Sequence, residues 1–192
     1  AFDPAGLEAR VEALRRRGMP NRYGEQRFGR AGDNAAAGRE LLAGRLRSRV
    51  RRAARFLLSA LQSEVFDAVL DARSDDYDDV RVGDLARVEA SGGLFWVEDL
   101  ERERPRAGAF EISATGPIFG TKVRQPRGEV AALEAEILER HGIPSGDRLT
   151  LPRGLRAEGT RRPLRVAPRS LEVLPLEDGH GFRLRSGLPA GA

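Results

Sequence analysis

The sequence predicts an α+β fold, on three observations. Three segments with helical periodicity dominate the chain up to Arg73. Short β segments separated by turns take over from Val80, and one further helical segment, from Gly128 to Arg140, interrupts them. The 192 residues fit one domain of ordinary size or two small ones. A hydrophobic content of 40% is enough for a buried core, while 22 Gly and 11 Pro imply many turns.

Asp3 can cap a first helix, with Pro4 at its favoured first position. Leu7, Val11 and Leu14 share one face of that helix and Gly18 ends it. Pro20 forces an extended or turn entry into the next stretch, and the segment around Tyr23 to Phe28 reads as a short strand or extended loop. Asn34 caps a second helix through Leu41, Leu42 and Leu46, weakened by Gly38 and Gly44. A longer helix is expected from about Arg49 to Arg73. Its buried face carries Val50, Ala54, Leu57, Leu61, Val65 and Val69, and Arg51, Arg52 and Arg55 lie on a solvated face. The acidic run Asp75, Asp76, Asp78 and Asp79 reads as a surface loop; a cation site needs wider spacing and a preformed cage.

Beyond it, Val82, Leu85 and Val88 suggest a strand near Gly83-Asp84, with a turn at Ser91-Gly92-Gly93. Leu94, Phe95, Trp96 and Val97 form the return strand, with Trp96 as a core anchor. The stretch ending in Thr115-Gly116-Pro117-Ile118-Phe119-Gly120 reads as a turn followed by apolar residues, and its glycine spacing is not that of a P-loop. Val130, Leu133 and Ile137 face inward on the helix that follows, and Gly142 lies past its end. A turn-rich connection spans Asp147 to Arg153. Strands are expected around Leu164-Arg165-Val166, from Leu171 to Leu174 and at Phe182-Arg183-Leu184.

Composition excludes several chemistries. Cysteine is absent, so neither a disulfide framework nor a thiolate site can form. His141 and His180 are the only imidazoles, too few for a histidine-rich metal site. No apolar run approaches the roughly 20 residues of a membrane helix, and no signal-peptide pattern opens the chain. A cytoplasmic protein with no membrane association is the expectation. Lys122 is the only lysine, so the net charge of +4 is carried almost wholly by arginine. Both a nucleic-acid partner and a GC-rich coding bias account for that skew. The chain begins at Ala1, its only methionine is Met19, and it ends on the apolar Leu188-Pro189-Ala190-Gly191-Ala192. A piece of a longer protein is therefore expected.

One stretch stands apart: Asn21-Arg22-Tyr23-Gly24-Glu25-Gln26-Arg27-Phe28-Gly29-Arg30. Two glycines allow φ > 0 or close backbone approach. Tyr23 and Phe28 offer flat faces. Arg27 and Arg30 can grip phosphate, and Asn21 and Gln26 can read a polar edge. These residue types suit a site that holds one unpaired base. Phe28 equally suits a packed core, and Arg27 an internal ion pair. No Gly-x-Ser-x-Gly elbow, HExxH or dinucleotide glycine pattern is present, so the residues alone give no catalytic centre.

The same stretch resembles the signature of the tRNA pseudouridine synthase D (TruD) family, Asn-x-aromatic-Gly-x-Gln-Arg-Phe-Gly, with Gly18-Met19-Pro20 as its lead-in. Further motifs follow in the family's order. Arg55-Phe56-Leu57-Leu58-Ser59-Ala60-Leu61-Gln62-Ser63 with Phe66 resembles its Leu-Ser-Ala-x-x-Ser helix, with Asp67 where Asn is usual. Val82-Gly83-Asp84, the turn from Ser113 to Gly120, the basic strand Arg161-Arg162-Pro163-Leu164-Arg165-Val166 and the closing Leu188-Pro189-Ala190-Gly191 complete the series.

The resemblance implies an α+β fold in which residues 1–45 belong to the pseudouridine synthase catalytic domain. Residues 46–175 would form the inserted TRUD domain, and 176–192 a return strand into the catalytic domain. It implies isomerisation of a uridine, uridine 13, to pseudouridine in tRNA, without a cofactor or metal. Tyr23 would stack on the target base, Asn21 would hydrogen-bond in the site, and Gln26, Arg27, Phe28, Gly29 and Arg30 would complete it. Tyr stands here where the family more often has Phe, and Arg22 where an aromatic is frequent. The family's nucleophilic aspartate lies in a Gly-x-Lys-Asp-type motif upstream of the signature, and this chain contains no such motif. The rival readings are a non-catalytic RNA-binding module and an inactive folded fragment.

Overall fold

The computed structural model describes residues 4–47, 50–144, 149–176 and 181–188. The expected cap at Asp3, the helix start near Arg49, the connection at Asp147, His180 and the closing Pro189-Ala190-Gly191 lie outside the described residues.

Helix α1 (Pro4–Arg17) ends where expected, because Gly18 takes φ +82° and its N–H bonds to the Leu14 carbonyl at 2.9 Å. The two-residue strand β1 (Met19–Pro20) follows. Helix α2 (Asn34–Leu42) is shorter than the apolar pattern predicts; it stops before Leu46, and Gly44 takes φ +74° just beyond. Helix α3 (Arg51–Ala72) is the central element. Val50, expected on its buried face, is its N-cap and is 62% exposed, whereas Leu58, Phe66 and Leu70 are buried beside Leu61, Val65 and Val69. The buried arc is wide because α3 is covered by a helix as well as by a sheet. Gly38 of α2 is part of that packing: a Cβ there would lie 2.3 Å from the Leu57 carbonyl oxygen, so only glycine lets the two backbones meet. Arg51, Arg52 and Arg55 are exposed, as expected of a solvated face.

Strands β2 (Leu85–Val88), β3 (Leu94–Trp96), β4 (Ile112–Ile118) and β5 (Thr160–Pro163) form an antiparallel sheet in the order β3-β2-β4-β5. Thr115-Gly116-Pro117, expected as a turn, lies inside central strand β4. Proline is tolerated because β4 pairs with β2 only at Ile112, Ser113 and Ala114, and with β5 alone from residue 115 to 118. Gly116 has a packing reason: a Cβ there would press on the Phe66 ring at 3.0 Å and on Leu164 at 3.1 Å. It thus lets α3 lie close on the sheet. Val82 is not in a strand and is 56% exposed.

Helix α4 (Leu100–Gly108) was not legible in the sequence; Asp99 caps it by accepting the Arg102 N–H at 3.2 Å. Helix α5 (Gly128–Arg140) has the expected bounds and buries Val130 and Ile137. Strand β6 (Arg165–Val166) pairs antiparallel with β1, and β7 (Arg169–Pro175) pairs antiparallel with β8 (Phe182–Gly187).

The structure overturns one expectation about a side chain and adds to another. Trp96 is no core anchor: it is half-buried at the β3 edge, with the Arg124 and Arg127 guanidinium carbons each 3.9 Å from its ring centroid. The acidic run does more than cover a loop. Asp76 accepts from Arg73 and Arg81, and Asp78 from Arg17, so these carboxylates fasten α1 and the end of α3 to the turn before β2.

Candidate functional site

The signature stretch is fixed at both ends before it reaches the surface. Asn21 follows β1 and is buried; its N–H bonds to the Leu164 carbonyl at 2.8 Å and its Nδ2 to the Pro163 carbonyl at 3.0 Å. Arg22 pairs with Asp71 of α3. The Tyr23 N–H donates to Asp67 Oδ1 at 3.1 Å. Asp67 therefore supplies the acceptor that an asparagine would supply at this place. Burial raises its carboxyl above the usual range, partly opposed by the Tyr23 N–H and the Arg22 charge.

The chain then turns. Glu25–Arg27 form one turn of 3₁₀ helix rather than a strand, with the Arg27 N–H on the Gly24 carbonyl at 3.0 Å. Gly29 takes φ +85°, and a Cβ there would meet Asn34 Nδ2 at 2.7 Å. Asn34 closes the loop from the far side, its N–H bonding to the Phe28 carbonyl at 3.2 Å and its Nδ2 reaching the Arg27 carbonyl at 3.4 Å.

Between this turn and α3 lies an open cleft of about 620 Å³ lined by Tyr23, Gly24, Glu25, Gln26, Arg27 and Phe56. Tyr23 joins core and cleft. Its ring meets the buried Phe66 edge-on, with centroids 5.8 Å apart at 80°, and is half-buried on the cleft side. Two cations attend it: Arg162 Cζ at 4.3 Å and Arg27 Cζ at 5.1 Å from the centroid. Arg27 also donates to the Ser59 hydroxyl at 3.1 Å and, among the described residues, forms no ion pair.

Of the seven residues expected at the site, Tyr23, Gln26 and Arg27 line this cleft. Phe28, Gly29 and Arg30 shape or follow the turn without lining it, and Asn21 lies behind it with both ends of its amide bonded to protein. Phe56 and Arg162 were missed. Phe56 is 46% exposed, a large apolar side chain on the otherwise arginine-rich face of α3, and that oddity was legible. Arg162 was hidden in the basic strand. Its neighbours turn inward: Arg161 makes a buried ion pair with Glu134 at 2.6 Å, and buried Arg165 donates to the Arg17, Ala107 and Ile112 carbonyls.

Glu25 is the one carboxylate among the described lining residues. No group of three or more His, Cys, Asp or Glu that could hold a metal occurs among the described residues, and no helix there is long and apolar enough to cross a membrane. The site offers an aromatic surface, guanidinium donors and a polar amide, which suit binding of a planar anionic ligand.

A family model described as tRNA pseudouridine synthase D (TruD) matches residues 46–192. The tRNA pseudouridine synthase D of Geobacter metallireducens is 35% identical over 254 residues, covering 98% of this chain and 61% of that protein. That of Anaeromyxobacter dehalogenans is 44% identical over 188 residues, covering 94% of this chain and 53% of the relative. The chain thus spans between about half and three-fifths of the length of these relatives. The crystal structure of the putative tRNA pseudouridine synthase D from Methanosarcina mazei shares the fold, with a TM-score of 0.77 at 16% identity, over 98% of this chain and 62% of that one. The chain belongs to the TruD family.

Proposed function

We propose that the protein carrying this chain is a tRNA pseudouridine synthase that isomerises a uridine of tRNA, uridine 13, to pseudouridine. The observation that carries the reading is Tyr23: a ring seated on the core at one edge, open to a cleft at the other, and flanked by Arg27, Gln26 and Phe56. A base inside folded RNA must be unstacked before its ring atoms can be reached, at a cost of a few kcal/mol. Stacking on an aromatic side chain returns roughly 1–3 kcal/mol of that. Arg27 holds the adjacent phosphate. Arg30, exposed just past the turn, adds sequence-independent grip.

The nucleophilic aspartate lies outside this chain. Among the described residues, no aspartate lines the cleft: Asp67 accepts the Tyr23 N–H behind it and Asp71 pairs with Arg22. Glu25 sits on the exposed 3₁₀ turn, where water screens it. Residues 1–45 and 176–192 then belong to the catalytic domain and 46–175 to the inserted domain. The first boundary falls in the connection between α2 and α3. The reaction needs no metal or organic cofactor, and the protein acts in the cytoplasm.

The test is to incubate the full-length protein with unmodified tRNA and measure pseudouridine by nucleoside analysis. Pseudouridine formation is expected. Salt-dependent tRNA binding without product would replace this reading with that of a non-catalytic RNA-binding module, and neither product nor binding would leave an inactive folded protein. Arg27→Ala should lower the slope of log affinity against log salt by about one; an unchanged slope would assign Arg27 to structure.

A further inference from the structure

Asn21 occupies the amide position of the signature, yet its amide is turned into the protein. It is 5% exposed, and it holds three successive residues of the strand region opposite: Arg162 Nη2 donates to its Oδ1, its Nδ2 donates to the Pro163 carbonyl, and its N–H to the Leu164 carbonyl. Arg162 Nε and Nη2 also approach the Asn21 carbonyl at 3.4 Å. The guanidinium so held lies 4.3 Å from the Tyr23 ring centroid and 5.6 Å from that of Phe66. A continuous path of contacts therefore runs from Asn21 through Arg162 to Tyr23, with Phe66 as the second support of the ring.

We propose that Arg162 is a positioning residue that fixes the Tyr23 ring as the stacking surface, and that Asn21 acts on the cleft through Arg162 rather than by touching the base. The proposal rests on the pseudouridine synthase reading given above. A tyrosine ring at an irregular segment has rotamer freedom, and a stacking surface serves catalysis only when held to within a few tenths of an ångström. A planar guanidinium supplies that support by lying on the ring while its fork of N–H donors is anchored elsewhere. An ammonium group, a compact charge with no plane, cannot do both.

The two roles open to an arginine here differ in what they change. A phosphate contact strengthens ground-state binding of tRNA and releases counterions. A ring support matters once the base has left its stack, so it acts on turnover and leaves the docking of the folded RNA alone.

In the full-length protein, Arg162→Ala, Arg162→Lys, Asn21→Ala and the Asn21→Ala/Arg162→Ala double variant are compared with wild type. Single-turnover rate of pseudouridine formation and tRNA Kd are measured across a salt series, with rates normalised to the folded fraction from melting curves. Each single variant should slow the step on the order of tenfold to a hundredfold. Kd should stay within about threefold and the salt slope unchanged. Lysine should not rescue, and the double variant should be no slower than the worse single, as expected for two residues on one path.

Several results overturn the proposal while the wild type remains active. They are a near-normal rate for Arg162→Lys, a salt slope reduced by about one, multiplicative losses in the double variant, or normalised rates equal to wild type. A wild-type protein that forms no pseudouridine defeats the underlying reading instead.

Discussion

Replacing Glu134 with leucine tests whether the strand that carries Arg162 is held by a buried charge pair. Glu134 of α5 accepts Arg161 Nη2 at 2.6 Å and Nη1 at 2.7 Å, and the side chains are 2% and 1% exposed. Arg161 also reaches Thr115, donating from Nε to Oγ1 at 3.1 Å and from Nη2 to the carbonyl at 2.6 Å. Leucine fills similar space but leaves a guanidinium charge buried without its counter-ion. Removing one partner of such a pair costs about 3–5 kcal/mol. At about 2–4 °C per kcal/mol for a chain of this size, the melting temperature should fall by about 6–20 °C. The double variant Glu134→Leu/Arg161→Met removes both charges, which is neutral to stabilising for the pair itself. It leaves the Thr115 carbonyl without its donor, a loss of about 1–3 kcal/mol. The double variant should therefore recover most of the single variant's loss. Urea titrations monitored by circular dichroism measure both. A single-variant loss below about 1 kcal/mol, the range of an exposed pair, would refute the reasoning; so would a double variant no more stable than the single.

Gly38→Ala would gain about 1 kcal/mol from helix propensity alone, but its Cβ would lie 2.3 Å from the Leu57 carbonyl oxygen. The overpacking cost of about 1–3 kcal/mol should prevail; a stabilised variant in the same titration would show that α2 and α3 part easily. Asp67→Asn should stabilise the protein at neutral pH, because the amide oxygen still accepts the Tyr23 N–H while the burial of a charge is removed. The sign follows from the raised carboxyl. Its contribution is fully present below the unfolded pKa, about 3.9, and is lost as pH rises through the higher folded value. The gap between variant and wild type should shrink on acidification, and an Asn variant that is less stable at neutral pH would contradict this.

How much of this was legible in the sequence depended on how local the cause was. α1 and α5 were, because apolar spacing and a glycine at φ +82° or +72° just past the end are encoded within the segment. α4 was not: Leu100–Gly108 is rich in Glu and Arg, carries Pro105 in its interior and lacks an apolar stripe, so its helix is set by the Asp99 cap and by Ala107 packing inside. Thr115-Gly116-Pro117 has turn composition, but Gly116 is dictated by the Phe66 ring across the core. The same distinction holds at the site. Tyr23, Gln26 and Arg27 come from one short stretch and were read together. Phe56 and Arg162 arrive from α3 and β5, and no local pattern announces that those elements meet. Asn21 was expected to hydrogen-bond within the site, but its partners at Arg162, Pro163 and Leu164 lie behind the cleft and exist only once the chain is folded.

The proposed function stands or falls with Tyr23 as the surface on which the target base stacks. Single-turnover pseudouridine formation by full-length Tyr23→Ala, measured beside its tRNA Kd, tests it most directly. Losing a stack of roughly 1–3 kcal/mol that forms only after the base is extruded should cut turnover by at least about fivefold, and toward abolition if the base is no longer held. The Kd for tRNA should remain nearly unchanged. Turnover at the wild-type rate would show that the base does not stack on Tyr23.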